Sequence, residues 1–258
     1  MMANWDLDMI PVKGGSGNAF TARNDEARVF IKKNANPMLT SIYLEGITPR
    51  VLWTKRTAQG DMLSAQPWIN GHTLTPEEMS DTQINQILSH LHKSKKLVDS
   101  YKKLGSQAVG PEALLEGVYS SSTALQKNIY LSSIVNQMKR ELPELPDHEV
   151  TVVHGDVNHN NWLVDDETQR VYLVDWDTVF LSDPMVDMAY ILSHYIKPVD
   201  WSRWLSYSGY QPKDNVMNKV AWYGKLSYLR QISDALLKNH IKQVNEEIQG
   251  LRNFCRLF

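Results

Sequence analysis

The sequence predicts an α+β fold of two lobes, a small sheet-rich one over residues 1–70 and a larger, mainly helical one over residues 71–258. Two observations predict it. Up to about Trp68 the chain consists of short apolar runs punctuated by glycine and proline, the pattern of strands and turns. After Thr75 apolar residues recur at three- and four-residue spacing, the helical period, interrupted only by short apolar runs around residues 151–174.

In the first lobe, Lys13-Gly14-Gly15-Ser16-Gly17-Asn18 is a glycine-rich turn. Gly15, Ser16 and Gly17 are placed to offer backbone N–H groups to a phosphate with little side chain in the way. No Gly-Lys-Ser or Gly-Lys-Thr closes the turn, so it is not a P-loop, and a plain hairpin turn explains the same residues. Arg28-Val29-Phe30-Ile31-Lys32-Lys33 reads as a strand. Alternation puts Phe30 and Lys32 on one face and Val29, Ile31 and Lys33 on the other. Lys32 is therefore the candidate phosphate-pairing lysine, with Phe30 beside it to cover a base. Glu45, in Ser41-Ile42-Tyr43-Leu44-Glu45-Gly46, is the acid best placed to pair with Lys32. Met62 to Gly71 reads as a last strand running into a hinge. There Gln66, Trp68 and Ile69 are candidates to hydrogen-bond adenine, while Pro67 has no donor to give.

The helical lobe opens with two capping-box patterns, Thr75-Pro76-Glu77-Glu78 and Ser80-Asp81-Thr82-Gln83, ahead of a stripe of Ile84, Ile87, Leu88 and Leu91. Near the other end Ile241, Val244, Ile248, Leu251 and Phe254 or Cys255 repeat that stripe. Between them, Thr151-Val152-Val153, Trp162-Leu163-Val164 and Val171-Tyr172-Leu173-Val174 read as short strands. The stretch Asp165-Asp166-Glu167-Thr168-Gln169-Arg170 is the polar turn joining the last two, so Asp165 and Asp166 read as turn residues rather than metal ligands.

These short strands frame His154-Gly155-Asp156-Val157-Asn158-His159-Asn160-Asn161 and Val174-Asp175-Trp176-Asp177. His154, Asp156 and Asn161 have the spacing of the protein-kinase catalytic loop, and Asp175 ends the next strand where that pattern puts its metal-binding aspartate. Phosphoryl transfer asks for positioning and charge neutralisation more than covalent chemistry. Magnesium takes one or two carboxylates and keeps waters and substrate phosphates as its other ligands. Asn161 and Asp175 are an adequate protein share, which leaves Asp156 to orient an acceptor hydroxyl and take its proton. Asp177 also falls near the metal position, though simple alternation would put it there. A zinc cluster of His154, Asp156 and His159 is a poor alternative, with no cysteine nearby.

A net charge of −2, a pI near 6.4 and the lack of any basic run interleaved with aromatics argue against a nucleic-acid partner. Lys93-Ser94-Lys95-Lys96, the longest basic cluster, reads as a solvated helix end. Cys255 is the single cysteine and leaves no internal disulfide. With no apolar stretch of membrane-spanning length and no signal pattern at Met1 to Asp6, the expectation is a cytoplasmic, soluble protein without membrane insertion.

The His-Gly-Asp motif with its Asn, the Asp175-Trp176-Asp177 strand end and Ser182-Asp183-Pro184-Met185-Val186-Asp187-Met188-Ala189 together resemble the aminoglycoside phosphotransferase and choline kinase family. The resemblance implies a bilobal protein-kinase-like fold and transfer of the ATP γ-phosphoryl group to a small-molecule hydroxyl. It implies Asp156 as the base, Asn161 and Asp175 as magnesium ligands, a Lys32–Glu45 ion pair, and His154 and Asp187 bracing the catalytic loop. Within the family, the segments Val153–Trp162, Leu173–Asp177 and Trp222–Ser233 are similar to a group of cell-cycle regulators of Gram-positive bacteria. That similarity implies an acceptor of the ribose, 2-deoxyribose or nucleoside type and partners among cell-division or replication proteins. His159, Trp222 and Tyr223 are candidate acceptor contacts. From Tyr190 to Phe258 there are ten Lys or Arg against five Asp or Glu, a balance that suits a sugar better than a polycation. The rival readings are a choline- or aminoglycoside-type kinase and a regulatory adaptor that keeps the fold and binds nucleotide.

Overall fold

The computed structural model describes residues 9–12, 17–23 and 27–258. In chain order the strands are β1 (Ile10–Pro11), β2 (Ala19–Arg23), β3 (Arg28–Lys33), β4 (Trp53–Arg56), β5 (Met62–Pro67), β6 (Gly71–Thr73), β7 (Thr151–Val153), β8 (Trp162–Asp165), β9 (Val171–Leu173) and β10 (Phe180–Ser182). The helices are α1 (Leu39–Leu44), α2 (Thr82–Lys93), α3 (Lys95–Lys103), α4 (Pro111–Ser120), α5 (Thr123–Lys127), α6 (Ile129–Arg140), α7 (Met185–His194), α8 (Trp201–Tyr207), α9 (Asp214–Leu237) and α10 (Ile241–Cys255). They divide between two compact units. One holds residues 1–75 and 159–178, the other residues 76–158 and 179–258.

The first unit is built on an antiparallel sheet of order β1-β2-β3-β5-β4. β3 is central, paired with β2 through Thr21 and Phe30 and with β5 through Phe30 and Gln66. Its alternation is as expected: Val29 and Ile31 are buried with Ala22, Leu63 and Ala65, and Met9, Phe20, Leu52 and Trp53 pack around them. Lys33, on that face but at the strand end, reaches Asp61 at 2.7 Å. A second sheet, β6-β8-β9, carries the hairpin read from the sequence, with Leu163 opposite Tyr172. Asp165 closes its turn by accepting from the Glu167 and Thr168 amides at 2.9 and 3.1 Å, and bonds from Thr168, backbone and side chain, then from the Glu167 amide hold its carboxyl below the usual range. Gly71 faces Asp165 across β6 and β8 so closely that a Cβ there would stand 1.9 Å from the Val164 carbonyl oxygen.

The second unit is helical apart from the pair β7–β10, in which Val152 faces Leu181. Ile84, Leu88 and Leu91 of α2 are buried, as their spacing requires. The helix is capped by Asp81, whose carboxylate accepts from the Gln83 amide at 2.7 Å, and not by Ser80 of the expected box. Ser80 sits instead at the end of a single 3-10 turn, Glu78–Ser80, and bonds back to Glu77. Ser94 ends α2 and caps α3 through the Leu97 amide, and Lys93, Lys95 and Lys96 around it are exposed. Val244, Leu251 and Phe254 bury the inner face of α10 against α9, while Ile241 at its start is exposed. Among the described residues no helix is long and apolar enough to cross a membrane.

Candidate active site

Lys32 and Phe30 point from the outer face of β3 into a cavity of about 490 Å³ that lies wholly within the sheet-rich unit. Gln66, Pro67, Trp68 and Ile69 line it along the end of β5, and Asn161, Asp175 and Asp177 line it from the β8–β9 hairpin. Lys32, whose side chain is 14% exposed, donates to Asp175 Oδ1 at 2.5 Å and stands 2.8 Å from Asp177 Oδ2. One ammonium is therefore shared by two carboxylates that are each about half exposed, and the trio keeps a net negative charge.

Local backbone chemistry delivers those carboxylates. The Val174 amide bonds the Asn161 carbonyl at 2.9 Å, tying the two ends of the hairpin together. Asp175 then takes a left-handed conformation at φ 63°, which aspartate tolerates better than a branched residue. A short 3-10 turn, Trp176–Thr178, follows, with the Trp176 indole N–H held by the Leu173 carbonyl at 3.0 Å. Asn161, Asp175 and Asp177 thus bring only hard oxygen atoms to the cavity, a donor set that fits magnesium and would not select zinc or copper.

The other half of the motif lies in the helical unit and is built around Asp187 of α7. Its buried carboxylate accepts from the His154 amide at 2.8 Å, the Gly155 amide at 2.9 Å and His92 Nε2 at 3.0 Å. Burial pushes that carboxyl up, but the hydrogen bonds from His92 and from the Gly155 amide outweigh it and hold Asp187 below the ordinary range. His154 is buried, and its Nδ1 accepts from the Asp156 amide at 3.2 Å. Asp156 Oδ1 accepts from Asn158 Nδ2 at 2.7 Å. His154 and Asp187 thus both bond the backbone of the loop that carries Asp156.

Several expected residues stand elsewhere. Lys32 ion-pairs with Asp175 and Asp177, not with Glu45 as expected, and Glu45 stands as the C-cap of α1. The Trp68 amide is taken by the Arg28 carbonyl at 3.1 Å and its ring lies 3.5 Å beneath the Arg28 guanidinium. Trp68 is thus a cavity wall and not a hinge donor. Gln66 also spends its side-chain amide within the protein, on the Pro49 carbonyl at 2.6 Å. Gly15 and Ser16 lie outside the described residues, and Gly17 turns at φ 77° without lining the cavity. Trp222 and Tyr223 are core residues, 3% and 1% exposed, with the Trp222 indole bonded to the Met138 carbonyl; burial, then the charges of Asp183 and Glu149, push the Tyr223 hydroxyl up. His159, half-buried, begins a 3-10 turn in the sheet-rich unit. Sequence reasoning missed Asn36 and Thr48 in the cavity wall and His92 on Asp187. Nothing in their local pattern marks them: Asn36 and Thr48 reach the cavity, and His92 reaches Asp187, only through the packing of the elements around them.

The model of the phosphotransferase enzyme family known as APH matches residues 34–211, more than half of the chain. The chain belongs to that family. As a member of APH it is a phosphotransferase with a hydroxyl acceptor. Solved structures agree on the fold. Choline kinase LicA from Streptococcus pneumoniae is similar with a TM-score of 0.67 and 17% identity, covering 96% of this chain and 94% of that one. LicA in complex with AMP gives 0.64 and 16% over 95% and 91%. The GDP complex of aminoglycoside 2'-phosphotransferase-IIIa gives 0.67 and 11% over 100% and 96%. This APH phosphotransferase therefore has a kinase-like fold, an antiparallel sheet unit and a helical unit.

Proposed function

We propose that this phosphotransferase moves the γ-phosphoryl group of ATP, with magnesium, to a hydroxyl of a ribose- or 2-deoxyribose-type sugar or a nucleoside. The observation that carries the reading is Lys32 on the cavity face of β3, bonded to Asp175 and Asp177 and flanked by Phe30. On this reading Lys32 pairs with the phosphates and Phe30 covers the adenine, and Gln66, Trp68 and Ile69 shape the pocket around it. Glu45 has no share in holding Lys32. AMP and GDP in two relatives of the same fold support a purine nucleotide here.

Asn161 and Asp175 would hold magnesium, which when bound neutralises phosphate charge. Asp156 orients the acceptor hydroxyl. The hydroxyl oxygen attacks the γ-phosphorus, the bond from that phosphorus to the bridging oxygen of the β-phosphate breaks, ADP leaves, and the hydroxyl proton passes to Asp156. Nucleotide binding then falls to residues 1–70, and catalysis and acceptor binding to residues 71–258, of which 71–75 and 159–178 cluster with the former.

The excess of Lys and Arg over Asp and Glu from Tyr190 onward supports a neutral or anionic acceptor over choline or an aminoglycoside. Similarity of the motif segments to the CcrZ (YtmP) regulators supports a link to division and replication initiation, with proteins of those processes as partners. Radiolabelled ATP offered with sugars, nucleosides, choline and aminoglycosides tests the acceptor. Label on choline or an aminoglycoside alone overturns that half of the reading. Asp156→Ala should abolish transfer and keep nucleotide binding; retained transfer overturns the role of Asp156. Nucleotide binding without transfer to any acceptor points to the regulatory adaptor.

A further inference from the structure

The peptide that joins Gly155 to Asp156 is held at both of its polar ends. Its N–H, on Asp156, is taken by His154 Nδ1 at 3.2 Å, and its carbonyl, on Gly155, accepts from Arg230 Nη1 at 2.6 Å. Arg230 comes from α9, 75 residues further along the chain. We propose that Arg230 is a positioning residue of the catalytic loop, fixing the plane of the Gly155–Asp156 peptide and so the direction in which Asp156 presents its carboxylate. The proposal rests on Asp156 being the base.

The argument is geometric. A peptide unit is rigid, so anchoring its oxygen and its nitrogen fixes the ψ of Gly155 and the φ of Asp156 together. Gly155 needs such an anchor because it stands at φ 79°, and glycine has more backbone freedom to lose than any other residue. Asp187 cannot do this alone. It holds the preceding peptide, through the Gly155 amide, and leaves rotation about the Gly155 Cα–C bond unopposed. Among the described residues no carboxylate ion-pairs with Arg230, so its bond to the carbonyl is not incidental to a salt bridge. A charged donor on a carbonyl makes a stronger bond than a neutral one, and a planar guanidinium loses less freedom in making it than a lysine would.

Arg230→Ala and Arg230→Lys in the full chain test the proposal. Misplacing a reacting group by about 1 Å costs roughly 100-fold in rate, so Arg230→Ala should lose about 100-fold in kcat with nucleotide affinity unchanged. Amide hydrogen exchange at Asp156 should accelerate while α9 keeps its protection. Added guanidinium ion should restore part of the rate, and Arg230→Lys should fall between Ala and the parent. Wild-type kcat and unchanged Asp156 exchange in Arg230→Ala would overturn the proposal. So would a rate loss that tracks the folded fraction and resists guanidinium. If the parent chain phosphorylates no acceptor, the functional reading fails, and exchange at Asp156 still decides whether Arg230 holds the loop.

Discussion

Lys32 Nζ stands 2.5 Å from Asp175 Oδ1, although 143 residues separate them in the chain. With Asp177 at 2.8 Å, the lysine offsets the repulsion between two cavity carboxylates. Lys32→Met should therefore lower kcat/KM by about 100-fold or more, the usual scale for losing one preorganised charge contact at a reacting group. The melting temperature should change little, since both carboxylates are about half exposed and solvent screens them. Parallel kinetics and thermal melts check both halves.

Gly71→Ala tests the close approach of β6 and β8. The new Cβ would meet a backbone oxygen at 1.9 Å, and neither strand can yield without breaking the pairing of Gly71 with Asp165. Overpacking of this kind costs about 1–3 kcal/mol, which for a chain of this size is a melting shift of about 2–12 °C. Gly71 also lines the cavity, so nucleotide affinity should fall with stability. A melt equal to that of the parent would contradict the contact.

Asp187→Asn should be far more costly than any surface substitution. The carboxylate is fully buried and accepts from two backbone amides and His92; the variant sets an NH₂ against one of those donors, a loss of about 3–5 kcal/mol. Because the folded-state carboxyl is held below its ordinary range, its stabilisation is complete above about pH 4 and is lost only as pH falls through the lower, folded value. Denaturant unfolding of parent and variant should show their difference constant near neutral pH and shrinking in acid.

His194 predicts an acid sensitivity of a different kind. Its ring is stacked between Tyr190 and Tyr228, at centroid distances of 4.4 and 4.3 Å, and burial lowers its pKa to about 4 despite a bond to the Tyr190 carbonyl. Glu247, the nearest carboxylate, is 3.8 Å from Nε2, beyond hydrogen-bond reach, and burial pushes it up as well. Between pH 6.5 and about 4 the unfolded chain takes a proton that the folded one refuses, so stability should fall as pH falls through that window. The loss integrates to about 3 kcal/mol. His194→Phe keeps the stack and removes the titration, and its unfolding free energy should be flatter with pH over the same window.

What the sequence determined by itself is whatever short range controls. Alternation along Arg28–Lys33 put Val29 and Ile31 in the core and Lys32 and Phe30 in the cavity, and turn chemistry placed Asp165. The His-Gly-Asp spacing likewise marked His154, whose ring is bonded within two residues of itself. What only the tertiary structure decided are the pairings between distant segments. It gave Lys32 to Asp175 and Asp177 instead of Glu45, closed the Trp68 amide on Arg28, sent Trp222 and Tyr223 into the core, and brought His92 and Arg230 to the loop around Asp156. The reason is physical. A strand or a turn sets side-chain direction within a few bonds, by backbone sterics, whereas the partner a charged group finds depends on how whole elements pack, which no local pattern encodes.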